Sequence, residues 1–517
     1  MDGAIVFTSV LSSPIVMVPR KKSFAMTSKS ATRSLNHPEW STRTNNPYLT
    51  GVYASVCAET MVRDLPACEG EIPKDLCGAY VRNGPNAVFE PTNLYHWFDG
   101  DGMVHGVYFA DGKASYRCRF IQTDGLIRER QAGNSLWPGI MGPFDSGRSE
   151  YLKDTANTDL VFHNGNLLAT WYMCGDVYQL DPVSLAGRGK SDFGGKLKSK
   201  VSAHPKVDAR TGELMYFTLN DEPPYMRYGV VNEDGRLVHE VPIQLPGPRA
   251  SHDITITENY TLLHDFPLFH DVELQRKIGH RVARFYPELP TRFGVVPRHG
   301  DNDQIRWFEF EPAYVLHMVN AWEEGDWIVM DGCTQPEPTI KRRPEEGELA
   351  SMLGYLRIRA HLHRWRINLK TGETQQFDLD DLNVEFCLPD TELYGVKTRY
   401  SYHQELPIDG YTVEFHALVK YDHETGSRTR FEYGKGNLAS EAPFARRRNA
   451  SSEDDGYVIT IVTNADWPNH SECWIFDAQA IERGPTAKVK IPVRVPPGFH
   501  AKWLREAELY NSTGNQS

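Results

Sequence analysis

A chain of 517 residues with 40% hydrophobic, 24% charged and 11% aromatic side chains has a globular composition able to bury a large core. That excludes chain-wide disorder and collagen-like or low-complexity architecture, and the length calls for two domains or one large repetitive one. The net charge of −12 offers no basic stripe, so no nucleic-acid partner is expected.

Residues 1–45 stand apart. Ser and Thr are frequent, and Arg20, Lys21, Lys22, Lys29 and Arg33 face only Asp2 and Glu39. Two readings stand, an organelle transit peptide or a disordered extension with Met26 as an alternative start. A secretory signal is disfavoured because the apolar Ala4–Val18 stretch precedes the basic cluster. The folded chain is expected from about Asn45, with 46–517 as one domain. No uncharged apolar run is long enough to span a membrane. Eight scattered Cys (57, 68, 77, 118, 174, 333, 387 and 473) form no CxxC pair, against a disulfide framework or zinc ribbon and suited to a reducing compartment.

Beyond residue 70 the signal is short strand, tight turn, short strand. Gly106–Ala110, Asp111-Gly112 and Ala114–Ile121 read as a hairpin, and so do the segments flanking His163-Asn-Gly-Asn166 and Asn232-Glu-Asp-Gly235. A third version uses Asp208-Ala-Arg-Thr-Gly212, Asn368-Leu-Lys-Thr-Gly372 and, one residue shorter, His423-Glu-Thr-Gly426. Lys341–Ala360 reads as a helical insertion. Many antiparallel hairpins, irregular in period but alike in kind, predict an all-β fold and favour a β-propeller over a large sandwich.

H-E-x-x-H, G-x-S-x-G, a complete phosphate loop and G-x-G-x-x-G after a strand are all missing, so metalloprotease, serine hydrolase, P-loop and dinucleotide readings lose their support. Histidine remains. His361 and His363 share one strand face, where either a metal pair or a solvated surface fits. His96, His105, His163, His264, His270 and His299 are placed in turns or loops, partly solvated. Four others lie at or in strands: His204 in Val201–Asp208, His252 in Ala250–Thr257, His317 in Tyr314–Trp322 and His500 in Val495–His500. Their spacing excludes a local clip of the zinc-finger kind, yet a radial array brings remote strand ends to one axis. Four neutral imidazoles there suit a first-row metal with positions left open; each taken alone also reads as a structural residue.

The chain resembles the carotenoid cleavage oxygenase family, which includes carotenoid dioxygenases, stilbene-cleaving dioxygenases and the vertebrate retinoid isomerase. The resemblance runs from about Pro47 to Trp503 and rests on Gly70–Asn86, on His96–His105 and on the four histidine contexts in order. It implies a seven-bladed propeller with a loop and helical cap over the face bearing iron. It also implies Fe(II) on His204, His252, His317 and His500, with O₂ as co-substrate. Glu385 and Glu441 match family glutamates that accept hydrogen bonds from ligands. Where a third glutamate is usual this chain has Tyr172, whose hydroxyl can hydrogen-bond an imidazole but brings no negative charge, so either iron affinity or redox potential differs from the usual case or another carboxylate substitutes. Trp171 stands where stilbene-cleaving members carry a lysine, which favours a carotenoid or apocarotenoid over a phenolic stilbene.

The implied activity is oxidative cleavage of one conjugated C=C bond into two carbonyl products. A stilbene or phenylpropenoid dioxygenase is the alternative, followed by an iron-dependent isomerase or hydrolase that consumes no O₂ and by a scaffold with no chemistry. Phe98, Trp171 and Trp322, with Trp137, Tyr172 and Phe266–Phe269, are candidates for a tunnel wall. The expected partner is a lipophilic polyene, with peripheral membrane contact at an apolar rim and no obligate protein partner. The expected location is cytoplasmic or on a membrane surface, or plastid if the leader is a transit peptide.

Overall fold

Asp111 and Gly112 both take left-handed φ (51° and 73°), as do Asn164 and Gly165 (44° and 71°). Two such residues in succession make the turn whose twist matches its flanking strands. Asp101–Ala110 therefore pairs with Lys113–Phe120, and Asp159–His163 with Asn166–Thr170. The three Thr-Gly turns are one device of one length. The N–H groups of Gly212, Gly372 and Gly426 donate to the carbonyls of Asp208, Asn368 and Asp422. The third turn thus starts one residue before His423, at Asp422, whose side-chain oxygen, like those of Asp208 and Asn368, accepts backbone N–H bonds from inside its turn.

The structure, a computed structural model, describes residues 7–8, 38–143, 152–279 and 281–510. Its antiparallel hairpins assemble into seven main sheets, the blades of a β-propeller, plus a two-stranded ribbon of Leu268–His270 with Ala283–Phe285. The ring is closed twice. Ala501–Arg505 joins blade one by pairing with Gly78–Arg82, and Ala67–Gly70 adds the outer strand to blade seven beside Ala487–Ile491. The two ends of the folded chain are thereby woven together, which ties ring integrity to both termini of the domain.

Innermost strands are Ala501–Arg505 in blade one, Asp159–His163 in two, Lys206–Val207 in three, Thr255–Ile256 in four, Tyr314–Glu324 in five and Val384–Leu388 in six. Asn437–Leu438 and Phe444–Arg446 share that place in blade seven. Strands behind them are sandwiched between blades and buried on both faces, as Gly456–Asn464 is throughout. Buried clusters bridge neighbouring blades: Met215, Phe217 and Tyr228 pack on Ile254, Leu263 and Val296. Phe293 packs likewise against Met318 and Trp365. Each such side chain contributes roughly 1.5–3 kcal/mol on burial. The outermost strand of blade six, Ser427–Glu432, is charged and exposed, which blunts its free edge.

Helical pieces gather over one face. Asp124–Ala132 is capped by Thr123, whose hydroxyl accepts from the Leu126 N–H, and Val272–Ile278 is capped by Asp271 in the same way. The insertion expected at Lys341–Ala360 forms a 3₁₀ turn, Pro344–Leu349, then a short helix, Ala350–Gly354, whose Met352 and Leu353 are fully buried against Tyr48 and Trp97. Ahead of the boundary placed at Asn45 lies a 3₁₀ turn, Glu39–Arg43, and Phe7–Thr8 pairs with Thr60–Met61. The basic cluster of the transit-peptide reading lies outside the described residues. No helix among the described residues is long and apolar enough to cross a membrane, and all eight cysteines are free.

Candidate metal centre

Each blade delivers one polar side chain to the axis. His500 precedes the inner strand of blade one, Asp159 opens that of blade two, and His204 and His252 precede those of blades three and four. His317 and Glu385 lie within the inner strands of blades five and six, and Glu441 sits between the two inner segments of blade seven. The four imidazoles have their donor nitrogens within 4.8 Å of one another. His204 Nε2 and His252 Nε2 are 3.0 Å apart.

Carboxylates on the outer side set ring direction. His204 Nδ1 lies 3.0 Å from Asp159 Oδ2, His317 Nδ1 lies 2.5 Å from Glu385 Oε2, and His500 Nδ1 lies 3.1 Å from Glu441 Oε1. A proton held at Nδ1 in this way leaves Nε2 as a bare lone pair turned to the centre. His317 Nε2 is buried with no hydrogen-bond partner. An orphaned acceptor beside three similar nitrogens is the signature of a cation site, and all-imidazole donors suit a first-row transition metal. The residues present fit such an ion.

Electrostatics agree. Burial lowers His204 and His252 well below the ordinary imidazole range and takes His317 to about 3, so these rings are neutral and ready to ligate. At His500 the Glu441 carboxylate outweighs burial and the pKa is raised. Burial pushes Glu385 up to about 8. Burial works against the Asp159 carboxylate too, but Lys502, at 3.6 Å, and His204 outweigh it and hold Asp159 well below the carboxylate range. Three buried carboxyl groups thus surround the centre with the Lys502 ammonium beside one of them, and a cation bound there would favour their ionised forms.

Two residues hold strained backbone here. His204 has φ 61° and Phe386, next to Glu385, has φ 51°. Non-glycine residues adopt this region at a cost of order 1 kcal/mol and keep it where surrounding packing imposes it. Phe386 lies over His500, ring centroids 5.0 Å apart, and also contacts His317.

A cavity of about 650 Å³ opens from the histidines. His252, His317 and His500 form part of its wall, with Phe98, Trp137, Trp171, Tyr172, Phe386 and Phe499. Its other wall residues run from Cys174 and Lys200 near blades two and three to Leu268, Pro338 and Ile358 near blades four and five. Phe98 is central to the aromatic wall, packing on Tyr172 at 4.8 Å and Phe499 at 5.2 Å. The segment His96–His105 places it there: the His96 ring accepts from the Phe98 N–H, and Asp99 accepts from the N–H groups of His96 and Ile140.

Several expectations need correction. Tyr172 does not stand in for the missing glutamate. The strand ends at Thr170, Trp171-Tyr172 step out of it, and the tyrosine ring joins the cavity wall beside Phe98. The carboxylate is Asp159, on the neighbouring strand, while His252 makes no hydrogen bond to a carboxylate among the described residues. Trp322 is not on the cavity wall. It lies five residues past His317, roughly 16 Å along an extended strand, buried under the Arg364 guanidinium. Phe266 is core, packed on Phe293, and from its segment Leu268 reaches the wall. His96, His105, His163 and His264 are buried, not solvated, with His105 bonded to the Tyr116 hydroxyl.

Two further groups converge among the described residues. His361 and His363 both bond Asp378 Oδ1, and Cys333, Cys387 and His403 meet in the core. Sequence reasoning missed Asp159, Lys502, Phe386 and Phe499. Asp159 stood as an acid opening the apolar run Leu-Val-Phe, the one available hint.

A propeller that gathers four imidazoles on its axis, three of them braced by carboxylates, at the floor of an aromatic cavity has the layout of a mononuclear metal site. This chain belongs to the carotenoid oxygenase family: the family model described as retinal pigment epithelial membrane protein (RPE65) matches residues 53–505. It is 35% identical over 501 residues to a carotenoid 9,10(9′,10′)-cleavage dioxygenase of Crocus sativus, covering 89% of this chain and 90% of that one. It is 30% identical to the isoeugenol monooxygenase of Pseudomonas nitroreducens, covering 89% and 98%. Among solved structures it is similar to the lignostilbene dioxygenase of Pseudomonas brassicacearum, with TM-score 0.77, 28% identity and coverage of 89% and 99%. Cobalt-substituted Synechocystis ACO gives TM-score 0.77 at 26% identity, covering 87% and 97%.

Proposed function

We propose that this chain is an iron-dependent dioxygenase that cleaves one conjugated C=C bond of a carotenoid or apocarotenoid, leaving a carbonyl on each fragment. His204, His252, His317 and His500 would hold the ferrous ion. That ion, when bound, supplies the activation of O₂. The protein's own work is placement. Asp159, Glu385 and Glu441 fix the rings, and the aromatic wall fixes where along its length the chain lies beside the centre. Phe98, Phe386 and Phe499 present flat apolar surface that a rigid polyene can lie against and that keeps water away. No acid or base on this wall is required to move a proton, since the reaction inserts both oxygen atoms and releases none.

The observation that carries the reading is the cavity, with aromatic walls passing the histidines and Trp171 where a phenol-binding lysine would stand. The carotenoid-cleaving relative at 35% identity supports it. Loading from a lipid phase belongs to the same proposal, since Ile127 and Leu136 are exposed next to the cavity residues Arg128 and Trp137.

The second reading is cleavage of a phenylpropenoid or stilbene at the same centre, favoured by the bacterial isoeugenol and lignostilbene enzymes among the relatives. Iron-loaded protein incubated with a carotenoid, an apocarotenal, isoeugenol and resveratrol, with products read by mass spectrometry and O₂ uptake followed, separates them. Aldehydes from the polyenes with matching O₂ uptake are expected. Products from resveratrol or isoeugenol alone would replace the substrate assignment, and polyene conversion without O₂ uptake would replace the reaction.

A further inference from the structure

The cavity contains a guanidinium that the metal chemistry does not use. Arg281 lines it together with His270, Tyr355 and the ligands His252 and His317. Other cations of that wall have partners or water. Arg249 is paired with Asp265, Lys200 with Asp176 and Arg357 with Glu346, while Arg276 and Arg359 are exposed. Arg281 differs: its Nε is buried and donates to nothing, and the Nδ1 of His270 is buried and unpaired as well. Among the described residues no carboxylate pairs with Arg281.

These two orphans share one place. Burial first and the Arg281 charge second hold His270 well below the ordinary imidazole range, and the same charge acts on Tyr355 and Cys174, both beside the cavity. Arg281 follows the helix Val272–Ile278 and precedes the ribbon strand Ala283–Phe285, while His270 ends the opposite ribbon strand and pairs with Ala283. The two-stranded ribbon therefore presents both side chains to the cavity from one edge.

A buried N–H without an acceptor is costly. A hydrocarbon lying in the cavity would leave it so, whereas an oxygen at the end of the ligand would satisfy it with a charge-assisted bond. We propose that Arg281, with His270 beside it, receives an acceptor oxygen at one end of the substrate, a carbonyl or carboxylate. The preferred substrate is then an apocarotenoid with an oxidised terminus. This rests on the polyene reading above and narrows it. It also places the reaction after another oxidative cleavage, since cutting a longer polyene is what creates such a terminus. Arg281 acts as a specificity and positioning residue: by anchoring one end it sets which double bond lies beside the metal centre.

The test measures binding directly, through quenching of tryptophan fluorescence in the iron-loaded protein. Three polyenes of equal length are compared, ending in a carboxylate, an aldehyde and a plain hydrocarbon, against wild type, Arg281→Gln and Arg281→Lys. Iron content and melting temperature establish that each variant is folded. Arg281→Gln is expected to weaken the carboxylate and aldehyde ligands by on the order of tenfold, with the hydrocarbon unchanged. Arg281→Lys should restore part of the carboxylate affinity. In turnover KM should rise for the oxidised ends with kcat little altered, and the cut position should scatter. Equal weakening of all three ligands, or none, would overturn the assignment while leaving polyene cleavage standing. Failure of wild type to bind any polyene would remove the polyene reading and this inference together.

Discussion

Asp159 and His204 come from adjacent blades and meet through a 3.0 Å contact between Oδ2 and Nδ1, while the other carboxylate oxygen faces Lys502 at 3.6 Å. The carboxylate is 1% exposed. It orients one imidazole, and it carries negative charge that only the ammonium and an ion at the centre can balance. Asp159→Asn keeps the shape and removes the charge. Metal affinity should fall by about 10–100-fold, read as iron retained after dialysis against a chelator series, with the fold intact by circular dichroism. Retention equal to wild type would show that His204 needs no anionic partner.

Gly498 is where the Gly70–Asn86 signature meets the metal centre. Arg82, fully buried, donates to the Ser440 hydroxyl at 2.8 Å and to the Pro496 carbonyl at 2.6 Å. The Asn83 N–H donates to the His500 carbonyl, and the Asn83 carbonyl accepts from the Phe499 N–H. The Asn83 amide meanwhile donates to the carbonyls of Ala156 and Asp159. A Cβ on Gly498 would lie 2.6 Å from Arg82 Nε and 2.8 Å from the Asn83 carbonyl oxygen. Gly498→Ala should therefore cost about 1–3 kcal/mol of stability by overpacking and displace His500. Thermal melting and iron content are expected to fall together, and a melting curve superimposable on wild type would refute the role.

Local chemistry made part of this legible in sequence. Asp111-Gly112 and Asn164-Gly165 announce their hairpins because few other pairs tolerate two left-handed residues in succession. The four histidines gathered on the axis were found through their strand-end contexts and the family resemblance, since nothing in their spacing demands that they meet. What stayed hidden is non-local. Asp159 looks like a turn-flanking acid until the ring closes and its strand becomes an inner one. Tyr172 was misread as a partner for a ligand imidazole because a family pattern read along a strand does not reveal that this strand stops at Thr170. His96 and His264 looked solvated because a buried neutral imidazole and an exposed one share the same local sequence grammar.

Removing the metal should weaken the fold as well as the chemistry. Without an ion the centre holds three buried carboxyl groups with only Lys502 beside them, and an unsatisfied His317 nitrogen. A ligand binding only the native state stabilises it by about 4 kcal/mol at a thousandfold excess over its dissociation constant. Chelation should therefore lower the melting temperature of wild type, and added Fe(II) should restore it. His252→Ala, with one ligand fewer, should melt lower and respond less to chelator. A wild-type melting temperature indifferent to chelator would count against a metal in this cage.

Asp154 offers a pH test away from the metal ligands. Its carboxylate lies on the cavity wall and accepts from the N–H groups of Asp176 at 2.7 Å and Ala156 at 3.1 Å, yet burial pushes its pKa up to about 7. In the unfolded chain the same group titrates near 4. Its folded-state pKa being the higher one, its contribution to stability is fully present below about pH 4 and is lost as pH rises through about 7. The span amounts to roughly 2–4 kcal/mol. Asp154→Asn cannot titrate, and its amide can accept only one of the two backbone bonds, so it starts with a fixed penalty. The stability difference, wild type minus variant, should therefore fall steadily between about pH 4 and 7 and level off above. Urea unfolding at intervals across that range measures it, and a difference that stays constant with pH would mean that Asp154 is ionised throughout and that its burial carries no such penalty.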